Sequence, residues 1–166
     1  TQPFGPNAGA REVILVGNVP GEDFAMLTAR VEAGATAVFL CPAVFAKGDR
    51  SLALLPLPEQ GSLVTGHDWL YQNNDWAMNH PIFKGLPTGL MDYQFYREIL
   101  GDKFFRGQTP PAEVVAGMIN TSIGYNSGLT VSVHRVGAGR IVLNSLLLRE
   151  NLSAKASHPV AERLLR

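Results

Sequence analysis

The chain has 166 residues, 14 basic and 14 acidic side chains with no formal net charge, 46% hydrophobic residues and a single cysteine. That length fits one domain burying roughly 70% of its unfolded surface, so neither a disulfide nor a metal is needed to fold it. The lone Cys41 excludes an internal disulfide, the absence of a Lys/Arg cluster speaks against nucleic acid, and the apolar runs are too short for a membrane-spanning helix.

Residues 1–10 (TQPFGPNAGA) are rich in Gly, Pro and Asn without apolar periodicity and read as linker, leaving 11–166 as a single domain. Residues 12–16 (EVILV), closed by Gly17, read as a buried strand. After a turn at Asn18-Val19-Pro20-Gly21, Glu22 and Asp23 open a helix whose Phe24, Leu27 and Val31 share a face and which Gly34 ends. Residues 36–40 (TAVFL) form a second buried strand. Strand, helix and strand make a βαβ unit, and two continuous apolar strands predict a parallel sheet covered on both faces.

The middle is less regular: 51–57 is leucine-rich, 62–65 suits a short strand, and Pro56, Pro58, Pro81 and Pro87 punctuate it. Residues 113–120 and 129–136 read as strands, and 140–143 follows across the tight turn Gly137-Ala138-Gly139. These are expected to finish the sheet in antiparallel fashion. Pro159 then suits a first helical turn, and Val160, Ala161, Leu164 and Leu165 repeat at helical spacing with no stop signal before Arg166. The expectation is a module of a longer polypeptide, with any signal peptide upstream.

Five segments occur in a fixed order: Trp69-Leu70-Tyr71, HPIFKGLP at 80–87, Leu90-Met91-Asp92-Tyr93, GAGRIVLN at 137–144 and HPVAERLL at 158–165. Over about residues 11–166 the chain thereby resembles a C-terminal region of bacterial glycoside hydrolase family 2 proteins, the β-galactosidase and β-glucuronidase relatives. The resemblance implies a three-layer α/β fold of the flavodoxin-like, class I glutamine-amidotransferase-like kind, with a mainly parallel sheet and an antiparallel extension. It implies a non-catalytic accessory role in packing or oligomerisation, with hydrolysis of β-linked glycans in another domain. The partners implied are the other domains of a parent glycosidase, a possible second copy and possibly a glycan, with no nucleic acid and no membrane insertion. The setting implied is periplasmic or extracellular, and no cofactor is expected.

An amidotransferase-like fold invites a triad of Cys41, His158 and Glu162. Pro42 directly follows the cysteine and offers no N–H for an oxyanion hole, so a buried thiol at a strand end is the favoured reading. A glycosidase pair needs two carboxylates roughly 5 to 9.5 Å apart. Asp68, Asp75 and Asp92 are the acids near the aromatic-rich middle, where turn-capping roles are commoner. His67, Asp68 and His80 lack metal-ligand spacing. No catalytic residue and no metal ligand is therefore assigned. The aromatics offer a better case: Trp69, Tyr71, Trp76 and Tyr93, with Asn73 and Asp75 between them, make a candidate carbohydrate-binding surface. Gly137-Ala138-Gly139 resembles a dinucleotide fingerprint but leads into a strand, and 17–21 sits where anions bind without the full glycine spacing.

Overall fold

The computed structural model describes residues 11–17, 24–45, 52, 55–66, 74–120, 125–153 and 156–166. The expected linker 1–10, the turn at 18–21 and the acidic helix start at Glu22 and Asp23 lie outside them. In chain order the elements are β1 (Val13–Val16), α1 (Phe24–Glu32), β2 (Thr36–Phe39), β3 (Ser62–Thr65), β4 (Asn74–Ala77), β5 (Gly89–Leu90) and α2 (Tyr93–Tyr96). They continue as β6 (Lys103–Arg106), β7 (Glu113–Asn120), β8 (Asn126–Val136), β9 (Gly139–Asn144), β10 (Leu152–Ser153), β11 (Ala156–Ser157) and α3 (Pro159–Leu164). Short 3-10 turns occupy Pro42–Phe45 and Pro81–Phe83.

The βαβ unit forms as its sequence predicts. β1 runs parallel to β2, with Val13 beside Thr36 and Val16 beside Phe39. The main sheet has nine strands in the order β1-β2-β9-β8-β7-β4-β5, with β6 attached to β8 and β3 to β6. β9 is parallel to β2, and the ladders beyond it, starting with β8–β9, are antiparallel. The sheet is thus mixed, with few helices, and not mainly parallel as expected. The reason lies in the connections. A parallel neighbour needs a long crossover, whereas Val136 pairs with Gly139 across a two-residue turn that can only reverse the chain.

That turn is fixed by two glycines. Gly137 has φ +57, and the Ala138 N–H donates to the Glu32 carbonyl at 2.9 Å, tying the turn to the end of α1. A Cβ on Gly139 would sit 2.2 Å from the carbonyl oxygens of both Ala35 and Val31, so only hydrogen fits.

The sheet separates two cores. On one face α1 lays Phe24, Leu27 and Val31 over Ile14, Val16, Ala37, Phe39, Ile141 and Leu143. Phe39 and Phe45 lie 4.8 Å apart, and Phe105 meets Phe45 edge-on at 5.4 Å. Each fully buried ring or branched side chain contributes about 1.5–3 kcal/mol. On the other face Phe83, Tyr96, Ile99, Val160 and Ala161 pack over Ala77, Ala116, Val131 and Val133. This second layer stops short of the β1 edge, where Val13 is 66% and Leu15 42% exposed. Among the described residues no helix is long and apolar enough to cross a membrane.

Candidate functional site

Strand alternation decides what can meet. Cys41 is fully buried in the core beneath α1, its thiol directed at the Gly17 carbonyl at 3.9 Å. His158 caps α3 on the opposite side of the sheet, its Nδ1 accepting from the Val160 N–H at 3.3 Å, and Glu162 pairs with Arg166 at 3.6 Å. The three triad candidates are not assembled.

Of the proposed sugar-binding residues, Asp75, Trp76 and Tyr93 are described. Trp69, Tyr71 and Asn73 lie outside the described residues, as do His67 and Asp68. Asp75 and Trp76 are neighbours on β4, so their side chains leave opposite faces of the sheet. Trp76 lies across Gly117, where an added Cβ would fall 2.4 Å from the indole. Tyr93 is half-exposed on α2, with the Arg97 guanidinium 5.3 Å from its ring centre. Tyr96 is buried, its hydroxyl donating to the Pro87 carbonyl, and burial pushes that phenol's pKa up.

Asp75 is the least ordinary acid. It is 6% exposed, its Oδ1 has no hydrogen-bond partner, and burial pushes its pKa up to about 7. A carboxylate there would be desolvated without compensation, so the neutral acid is favoured. Asp92 instead caps α2, accepting from the Gln94 N–H at 2.6 Å. His80 opens the Pro81–Phe83 turn, its Nδ1 accepting from the Ile82 N–H. Its Nε2 then donates to Glu113 at 2.7 Å. That hydrogen bond holds the Glu113 carboxyl below its usual range, outweighing desolvation by burial, with smaller contributions from the nearby positive charges of Arg140 and Arg135. Among the described residues no three His, Cys, Asp or Glu side chains are placed to hold a metal ion.

One polar row, legible in the sequence as an alternating strand, was not among the candidate site residues. Thr130, Ser132 and His134 follow at alternate positions on β8 and are each at most 2% exposed. Ser132 Oγ lies 3.1 Å from His134 Nε2, while His134 Nδ1 and Thr130 Oγ1 have no partner. Burial lowers the His134 pKa, favouring neutral imidazole. The row's alternation with Leu129, Val131 and Val133 signalled a polar strand face. Its burial depends on distant segments such as β6, whose Phe104 lies over Gly128 at the head of the row.

Among the described residues a concavity able to take a ligand or partner lies elsewhere, on the outer face of the parallel strands. It is about 540 Å³ in volume. Val13 and Leu15 of β1, Val38 of β2 and Val142 of β9 form an aliphatic floor, and Leu164 and Leu165 at the end of α3 form a wall. Lys84, Arg163 and Arg166 also line it, and among the described residues no acidic side chain does. The Arg163 Nε donates to the Lys84 carbonyl at 2.9 Å, holding the end of α3 against the Pro81–Phe83 turn. Asn144 is closed on itself, accepting from the Leu146 N–H and donating to the Leu146 carbonyl.

No family model matches this chain, and no curated protein does. Among solved structures, an exo-β-1,4-mannosidase from Opitutaceae bacterium strain TAV5 is similar to it at 15% identity and a TM-score of 0.49. The similarity covers 84% of this chain and 21% of the mannosidase, so the chain spans about a fifth of that protein's length.

Proposed function

We propose that this chain is a non-catalytic accessory module of a family 2 glycoside hydrolase acting on β-linked glycans, packing against other domains or copies while hydrolysis occurs elsewhere. On this reading it is a member of the three-layer flavodoxin-like class, working in the periplasm or outside the cell. The observation that carries the reading is the open apolar face of the parallel strands. Such strands are ordinarily covered on both faces, and here α1 covers one while Val13 and Leu15 on the other stay 66% and 42% exposed. A contiguous apolar face of this kind marks a contact with another body. The order of the motifs from Trp69 to Leu165 supports the family.

The length of the native polypeptide tests it. An immunoblot of the source organism with an antibody to this domain is expected to show a band several times larger than 17.9 kDa. A band near 17.9 kDa overturns the proposal.

A further inference from the structure

We propose that the groove on the outer face of β1, β2 and β9 receives an amphipathic α-helix with acidic residues beside its apolar stripe, supplied by a neighbouring domain of the same protein. The inference rests on the accessory-module reading and adds the chemistry of the partner.

The floor decides the occupant's backbone. Val13, Leu15, Val38 and Val142 present only hydrocarbon, so any chain laid on them must satisfy its own N–H and C=O groups. A helix does so internally, whereas an extended segment does not. The opposite face of the same strands already shows the footprint: the nine-residue α1 buries Phe24, Leu27 and Val31, spaced as one helical stripe. A second helix on the outer face would lie beside α3, whose Leu164 and Leu165 already wall the groove, at the roughly 8–10 Å spacing of packed helices.

The rim decides the occupant's charge. Among the described residues Lys84, Arg163 and Arg166 line the groove without an acid, although the whole chain carries equal numbers of acidic and basic groups. Arg166 is paired with Glu162, whereas Lys84 has no ion pair among the described residues. Acidic residues flanking an apolar stripe complement this rim, and basic ones are repelled by it.

Two synthetic amphipathic helical peptides with the same leucine stripe, one flanked by Glu and the other by Lys, test the proposal by titration calorimetry against the 166-residue chain. Ion pairs at the rim are expected to make the Glu peptide bind about tenfold tighter. Lys84→Glu, at an exposed position, is expected to narrow or reverse that preference, and Leu15→Asp to abolish binding of both peptides. Absence of binding, equal binding, or binding indifferent to Leu15→Asp overturns the helix proposal. Such a result beside a long native chain leaves the module reading standing. A short native chain overturns the module reading by itself, and with it the neighbouring domain as the source of the helix.

Discussion

Beneath α1, the parallel strands β1, β2 and β9 bury Ile14, Val16, Ala37, Phe39, Ile141 and Leu143, none of them polar. One strand further on, β8 carries Thr130, Ser132 and His134 on that same face, His134 directly beside Ile141. Further still, β4 buries Asp75 on the opposite face. Both halves exclude water, yet only the parallel half does so with groups that lose nothing by it. Stability should therefore be insensitive to pH in the parallel half and sensitive in the antiparallel half. Steric tolerance should be lowest where the two halves join.

The largest test is at that join. Gly139→Ala places a methyl group 2.2 Å from two backbone carbonyl oxygens, and a loss of roughly 3 kcal/mol or more is expected in urea unfolding. A loss below about 1 kcal/mol would mean that β9 and α1 can separate freely.

The second test addresses the polar half. Because the folded-state pKa of Asp75 is raised from 3.8 to about 7, the native state holds a proton that the unfolded state has released across that interval. Stability is then lost as pH rises from about 4 to 7. Asp75→Asn removes this dependence, and its stability relative to the parent should increase by roughly 3 kcal/mol between pH 5 and pH 8. A difference that stays flat with pH would show that Asp75 finds a partner or water. His134 acts in the other direction: its lowered pKa makes the unfolded state bind the proton first, so stability falls as pH drops through the unfolded value of about 6.5.

The smallest effect belongs to the open face of the parallel half. Leu15→Ser is expected to change unfolding stability by about 0.5 kcal/mol or less, whereas Ile14→Ala, next to it on the covered face, should cost about 2–5 kcal/mol. Equal losses at the two positions would mean that the outer face is already covered in solution.

The same contrast explains what the sequence revealed. EVILV and TAVFL announced β1 and β2 because both faces of those strands are apolar, and the Phe24, Leu27, Val31 stripe announced α1. The strands at 113–120 and 62–65 were also legible from β-branched content. β4 (NDWA) and β6 (KFFR) were not, since Asn74, Asp75, Lys103 and Arg106 break any apolar alternation, and pairing with β7, β8 and β3 makes them strands. The position of β9 between β2 and β8 was equally hidden, because it depends on a partner far away in sequence. At the candidate site, residue type pointed to the aromatics of the middle, but the fold puts Asp75 and Trp76 on opposite faces. The groove combines β1, β2, β9 and the chain's last residues, a convergence that local patterning does not encode.

The insertion of β9 also sets an order of events during synthesis. β1 and β2 emerge early and can pair at once, but the far edge of β2 keeps its backbone groups unsatisfied until residues 139–144 leave the ribosome. Until then the nascent chain carries a bare edge of Val, Ala and Phe, a template for pairing with other chains. Closing it requires Thr36 to find Arg140, a distant contact of the kind that slows folding. The protein is thus most exposed to aggregation while it is being made, just before the strand that completes its sheet appears.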